Sequence, residues 1–227
     1  MILLPVKNLA NAKQRLRPVL EQQSRTELAK AMLSDVVHAL AAYAGDEVAI
    51  ATSDPFAIEL AGQYRFEIIR DESNVSETDA IEMATRICEG RGIESTLVIP
   101  GDIPLIDAGD IRAIYDASPD AGSVLVASKD KRGTNAVLRR PASLFPLRFG
   151  NNSFMPHLAA AIATNQSCVV LSLPRIALDI DTAEDLRELA EASGEKQSQV
   201  LARRLGFGGA RQCAGHPKGE STLAAKS

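Results

Sequence analysis

Residues 95–106 read Ser-Thr-Leu-Val-Ile-Pro-Gly-Asp-Ile-Pro-Leu-Ile. The apolar run Leu97-Val98-Ile99 stops at Pro100-Gly101, and a single carboxylate, Asp102, follows at once. A short, uniformly apolar run is the pattern of a strand buried on both faces, as in a parallel sheet covered by helices. Leu105-Ile106 then lead into a helix start at Asp107 to Asp110. In open α/β sheets, ligands bind beyond the carboxyl ends of the strands. Asp102 is therefore expected to face whatever this protein binds.

The flanking sequence repeats the theme. Ile2-Leu3-Leu4-Pro5-Val6 reads as a strand, and 7–23 as a polar, basic connection. Ser24-Arg25-Thr26-Glu27 has the form of a capping box, and Leu28, Met32, Val36 and Leu40 give a helical stripe ending near Gly45. Strands are expected over 47–52 and 66–70. Between them, Asp54-Pro55 opens a helix over 55–63. Ser76 to Asp79 resembles a second capping box, with a helix to about Gly90. This alternation implies a Rossmann-like three-layer α/β fold, with a mainly parallel sheet and helices on both faces.

After Asp110 the rhythm changes. Two extended runs, 123–129 and 134–139, are joined by the turn signal Asp130-Lys131-Arg132-Gly133. A loop over 149–154 precedes an apolar helix to Thr164. Further strands are expected over 168–173 and 176–180, and a helix over 181–192. One domain should cover 1–193. The segment 194–227, rich in Gly, Lys, Gln and Ser, is expected to be a largely disordered tail with a helical fragment over 200–205.

Composition narrows the function. The 227 residues carry a net charge of −4 and no Trp, which argues against nucleic acid as a partner. No apolar run is long enough to span a bilayer. Pro5 and Lys7 break the first apolar run, so a signal peptide is not expected. Cys88, Cys168 and Cys213 fit neither a disulfide framework nor a metal cluster, and suit a reducing cytoplasm.

Three constellations could carry chemistry. In Leu178-Asp179-Ile180-Asp181, a strand would project both acids to one side while Ile180 enters the core. Asp181 is also expected to cap the last helix, with Glu184 completing the box. A carboxylate among buried apolar residues calls for a partner or a metal. Asp102, Asp179 and Asp181 together would suit Mg²⁺ bridged to substrate phosphates.

The second constellation is Lys7, Lys13, Arg15 and Arg17, which fall in the first twenty residues with no acid among them. The loop lacks the glycines of a dinucleotide fingerprint, but its cations could hold a triphosphate. The third joins Arg132-Gly133-Thr134-Asn135 to Gly150-Asn151-Asn152-Ser153. Both are rich in small donors suited to a second, small anion. His157 reads as a packing residue that could still reach a phosphate. Gly101 is expected to leave room for the metal and the α-phosphate. No Ser/His/Asp or Cys/His set suggests a covalent nucleophile.

Pro5-Val6-Lys7-Asn8-Leu9, Ala12-Lys13, Arg15-Leu16, Gly101-Asp102-Ile103-Pro104, Gly133-Thr134-Asn135, Phe149-Gly150 with Ser153-Phe154 and His157, and Leu178 to Thr182 with Asp185-Leu186 resemble the 2-phospho-L-lactate guanylyltransferase family. That family includes phosphoenolpyruvate and 3-phosphoglycerate guanylyltransferases, and it makes the activated precursor of the deazaflavin coenzyme F-420. The resemblance covers residues 1 to about 192. It implies a nucleotidyltransferase fold of the nucleotide-diphospho-sugar transferase type. It also implies GTP and a small phosphorylated carboxylic acid as substrates, with Mg²⁺ as cofactor.

By motif, the resemblance makes Lys7 and Asp102 the catalytic residues. Pro5, Lys7, Lys13, Arg15 and Gly101 would bind the nucleotide, and Thr134, Gly150 and Ser153 the acid. Asp102, Asp179 and Asp181 would hold Mg²⁺. The family's Gly-Leu-Asn-like run before the third helix is replaced by Asn74-Val75-Ser76-Glu77-Thr78-Asp79, which bears on base selection. The sequence does not separate 2-phospholactate, phosphoenolpyruvate and phosphoglycerate, and a homodimer is compatible with it. Two alternatives are the same fold acting on a phosphosugar or molybdopterin, and a non-catalytic nucleotide-binding module.

Overall fold

The structure is a computed structural model that describes residues 1–71, 76–150 and 152–209. The strands are β1 (Ile2–Val6), β2 (Val48–Thr52), β3 (Glu67–Arg70), β4 (Thr96–Val98), β5 (Gly122–Ala127), β6 (Thr134–Arg140) and β7 (Ser167–Leu171). The helices are α1 (Gln22–Tyr43), α2 (Pro55–Tyr64), α3 (Glu77–Gly90), α4 (Ala108–Asp116), α5 (Phe154–Ala163), α6 (Pro174–Ala177), α7 (Ala183–Glu191) and α8 (Gln197–Arg204).

The strands form one sheet in the order β3-β2-β1-β4-β6-β5-β7. All pairings are parallel except those of β6, which runs antiparallel to both β4 and β5. Successive residues of a strand face opposite sides, and here both sides are buried. Ile2, Leu4, Leu97 and Ile99 pack beneath α1, α4 and α7. Leu3, Val98, Leu125 and Val137 pack against α3 and α5. This double burial is why the strands read as unbroken apolar runs. Each such side chain contributes roughly 1.5–3 kcal/mol by leaving water.

The reversal at β6 shapes the site. Val137 pairs with Val98, so the start of β6, Thr134-Asn135, lies beside the loop that follows β4. Gly133 N–H donates to Ser128 Oγ at 2.7 Å, and Ser128 N–H donates to the Gly133 carbonyl at 2.9 Å. This closes the turn expected over 130–133.

Three expectations change. Helix α1 starts at Gln22, ahead of Ser24, because the buried Arg25 guanidinium grips the Leu20 carbonyl at 2.8 Å and anchors the chain a turn earlier. The strand expected over 176–180 is absent. Pro174–Ala177 form a short helix, and 178–181 run on without strand pairing. Leu178 and Ile180 are still buried while Asp179 and Asp181 are only half-buried, so the apolar alternation is real without a ladder.

The third change concerns the tail. The fold continues past residue 193, because α8 packs on α1 and α7. Its N-terminus is capped from α1 by the buried Asp35, which accepts from Gln197 N–H and Ser198 N–H, each at 2.9 Å. Residues 210–227 of the expected tail lie outside the described residues. No described helix is long and apolar enough to cross a membrane.

Candidate active site

Two cavities meet at the carboxyl ends of β1 and β4. The larger, about 660 Å³, is lined by Pro5 to Leu9, Asn11 to Arg15, Met32, Leu33 and Gly101. The smaller, about 330 Å³, is lined by Ser128, Arg132 to Asn135, Phe149, Gly150, Asn152, Ser153 and Asp179. Arg15, Glu77, Pro100, Asp102 and Asp181 line both and form the shared wall.

The basic loop after β1 is held rigid by its apolar residues. Leu9 and Leu16 plug into the core. Asp54, the N-cap of α2, also accepts from Leu9 N–H at 3.0 Å. Lys13 then adopts a left-handed backbone, φ 53°. For a residue with a Cβ that conformation costs about 1–2 kcal/mol. Strain of this kind persists where the surroundings over-determine it. Here the Lys13 ammonium lies 2.8 Å from Asp102 Oδ2 and 3.1 Å from Asp181 Oδ1. Arg15 Nη1 adds a bond to Asp181 Oδ2 at 2.8 Å. Burial alone would lower the Lys13 ammonium, but Asp102 and Asp181 outweigh it and hold it charged, above the ordinary lysine range. Lys7 sits in the same cavity in an ion pair with the buried Asp71, just past β3.

The two acid-bearing segments are joined through the backbone. Ile180 N–H donates to the Asp102 carbonyl at 3.1 Å, which brings Asp181 to Asp102. Asp181 is not the cap of α7. Thr182 is the N-cap, in a capping box with Asp185, which leaves the Asp181 carboxylate facing the shared wall. Asp179 reaches the smaller cavity only, and accepts from Asn135 Nδ2 at 3.1 Å. Burial raises the Asp179 carboxyl above its usual range; Asn135 partly offsets this, and Asp102 and Asp181 push it further up.

Among the described residues, no group of three or more His, Cys, Asp or Glu side chains is placed to hold a metal. The structure instead offers a pair of carboxylates, Asp102 and Asp181, close enough to share one cation, the Lys13 ammonium. A pair fits Mg²⁺, which takes one or two carboxylates and completes its shell with phosphates and water.

In the smaller cavity, Thr134 N–H donates to Ser153 Oγ at 3.1 Å, which ties β6 to the start of α5. Gly150 has φ 126°, and a Cβ there would meet nothing within 4 Å. Backbone conformation, rather than space, is what calls for glycine. Gly101 lines the larger cavity. A Cβ there would press on Leu33 Cδ1 at 3.3 Å, so a side chain at this point of the cavity wall would crowd α1.

Pro5, Lys7, Lys13, Arg15 and Gly101 thus line the larger cavity, and Thr134, Gly150 and Ser153 the smaller. Three contributors escaped the sequence reading as site residues. Asp71 anchors Lys7, and Asp130 shapes the turn by accepting from Arg132 N–H at 2.9 Å. Glu77, read only as part of a capping box, faces the shared wall. Burial first, and then Asp102, raise its carboxyl to about 7 against the pull of Lys13 and Lys7. His157 lines neither cavity, and its ring reaches Thr134. In the departing segment, Asn74 and Val75 lie outside the described residues, and Thr78 accepts from Phe149 N–H at 3.0 Å.

Comparison with known proteins agrees with this architecture. The chain matches a structure assigned to the nucleotide-diphospho-sugar transferases, from Desulfovibrio desulfuricans G20, with a TM-score of 0.74 at 16% identity, covering 89% of this chain and 93% of that one. A cytidylyltransferase from Leptospira borgpetersenii matches with a TM-score of 0.57 at 14% identity, covering 90% of each chain. These likenesses show the fold. In sequence, the chain is 33% identical over 205 residues to a 2-phospho-L-lactate guanylyltransferase of Methanothermobacter thermautotrophicus, covering 90% of each chain. It is 35% identical over 195 residues to a phosphoenolpyruvate guanylyltransferase of Rubrobacter xylanophilus, covering 86% of this chain and 94% of that one. The profile of the family described as "Guanylyl transferase CofC like" matches residues 1–218. The chain belongs to the CofC-like guanylyltransferase family, whose members are nucleotidyltransferases.

Proposed function

We propose that this protein transfers GMP from GTP to the phosphate of a small phosphorylated three-carbon acid, releasing pyrophosphate, as the nucleotide-activating step of coenzyme F-420 synthesis in the cytoplasm. The observation that carries the reading is the pair of cavities with a shared acidic wall. A nucleotide fits the basic cavity, an acid phosphate the donor-rich one, and the two phosphates would meet at Asp102 and Asp181. The free thiols Cys88 and Cys168 accord with a reducing compartment.

In the reaction, a phosphate oxygen of the acid attacks the α-phosphorus of GTP in line. A new P–O bond forms, the bond from the α-phosphorus to the bridging oxygen breaks, and pyrophosphate departs with that electron pair. The nucleophile is already an anion, so no general base is needed. The residues act by positioning and by charge. Thr134 and Ser153 hold the acid, Arg15 faces both substrates, and Lys7 lies along the nucleotide cavity. Lys13 would exchange one carboxylate for phosphate oxygen when the nucleotide enters. Asp102 and Asp181 would hold Mg²⁺, whose charge would offset the repulsion between two anions.

The test is pyrophosphate release with 2-phospholactate, phosphoenolpyruvate and 3-phosphoglycerate, each crossed with GTP, ATP and CTP, with and without Mg²⁺. Release that requires GTP, one of the acids and Mg²⁺ is expected. Release that needs no acid, or no release in any combination, contradicts the reading.

A further inference from the structure

His157 is 1% exposed and touches neither cavity, yet its ring is bound at both nitrogens. Arg148 N–H donates to Nε2 at 2.8 Å. A backbone N–H can only donate, so Nε2 must be the bare nitrogen. In the neutral ring the proton then sits on Nδ1, which is 2.9 Å from Thr134 Oγ1. Thr134 Oγ1 therefore accepts from the imidazole. Ser153 Oγ stands 3.3 Å from the same oxygen and donates to it.

A hydroxyl oxygen accepts two hydrogen bonds and donates one. With both acceptor positions filled from the protein, the Thr134 hydroxyl hydrogen is free for a partner in the smaller cavity, which Thr134 lines. We propose that His157 is a positioning residue for the acceptor acid: its Nδ1–H tautomer, set by the Arg148 backbone, fixes the Thr134 hydroxyl as a donor aimed at the anionic group of the phosphorylated acid. The inference rests on the acid-site reading above.

The surroundings keep the ring in this form. Burial first, and then the positive Arg139, push the imidazole down to about 4, so it is neutral at physiological pH. The Phe149 ring, which lines the cavity, packs edge-on to His157 with centroids 5.1 Å apart. The chain Arg148 N–H, His157, Thr134 is thus directed one way, each donor polarising the next. A protonated ring would set Nε2–H against Arg148 N–H, and the other tautomer would turn the Thr134 hydroxyl inward, toward Nδ1.

Two substitutions separate the ring's two bonds. An Asn amide reaches the position of Nδ1, and a Gln amide that of Nε2. His157→Gln keeps an acceptor for Arg148 but loses the donor to Thr134. It should raise the KM for the acid about tenfold while the KM for GTP holds. His157→Asn should recover most of that loss, although it sacrifices the Arg148 bond and is equally buried. Thr134→Val serves as control for the acid site.

If Thr134→Val leaves the acid KM unchanged, the acid-site reading fails and this proposal with it. If Thr134→Val raises the acid KM but His157→Gln does not, the proposal alone fails. Equal effects of Gln and Asn also overturn it, because they mark a packing role. Long-range ¹H–¹⁵N spectra of the wild-type protein need no variant to fold. They should show a neutral Nδ1–H ring at pH 7 whose Nδ1 resonance shifts when the acid is added. A neutral Nε2–H ring or an imidazolium overturns the proposal.

Discussion

The Lys13 ammonium bonds Asp102 Oδ2 at 2.8 Å from a left-handed backbone position, and its other bond goes to Asp181. A lysine that joins two acids from distant parts of the chain places a positive charge where two anionic substrates would meet. Lys13→Ala removes that charge from the nucleotide cavity and leaves the carboxylates uncompensated. Steady-state kinetics should show kcat/KM for GTP falling about 10²-fold or more, in the range seen when one preorganised donor is lost. An unchanged kcat/KM for GTP would show that Lys13 serves only the fold.

Ser153 lines only the smaller of the two cavities, so its substitution tests that cavity's proposed role. Ser153→Ala removes one hydroxyl and should raise the KM for the acid about tenfold, with a smaller effect on GTP. Equal rises in both would count against the assignment of the smaller cavity to the acid.

His157 also links pH to stability. In the unfolded chain it protonates near the ordinary 6.5, and in the fold only near 4. A depressed histidine contributes stability that is complete above about pH 6.5 and is lost as pH falls toward 4, because the unfolded state then binds the extra proton. Between pH 7 and pH 5 the wild type should lose roughly 2 kcal/mol more than His157→Asn in urea unfolding. Parallel curves for the two proteins would mean that the imidazole is not held neutral.

Asp35 supplies the only described side-chain cap to the first turn of α8 from outside that helix, through Gln197 and Ser198. Asp35→Ala leaves those N–H groups buried and unpaired, which costs about 2–4 kcal/mol. Amide exchange over Gln197–Arg204 should accelerate more than over β1. Uniform acceleration would mean that α8 is not a separate unit of stability.

Much of this architecture was legible in the sequence, for identifiable reasons. The strand at Leu97-Val98 read correctly because a strand buried on both faces must be apolar throughout. Asp54-Pro55 and Asp107 located helix starts because capping is local chemistry. Reading failed where the decisive partner was remote. Helix α8 looked like tail because its own residues are polar, and its packing partners and its cap from Asp35, 162 residues earlier, are remote in sequence. Asp181 looked like a cap because Thr182, one residue on, offers the same chemistry. The segment 176–180 alternates like a strand, but Pro174 starts a short helix and no neighbouring strand is there to pair with it. His157 looked like packing, and only the two bonds of its ring reveal a direction.

The most direct test of guanylyl transfer is ³¹P NMR of the protein with GTP, Mg²⁺ and each acid in turn, for wild type and Asp102→Ala. The wild type should convert the acid's phosphate into a phosphoanhydride joined to GMP, with one pyrophosphate per product. Asp102→Ala should form almost none while keeping the wild-type circular dichroism spectrum. Absence of the anhydride with every acid, or wild-type-like formation by Asp102→Ala, would contradict the account.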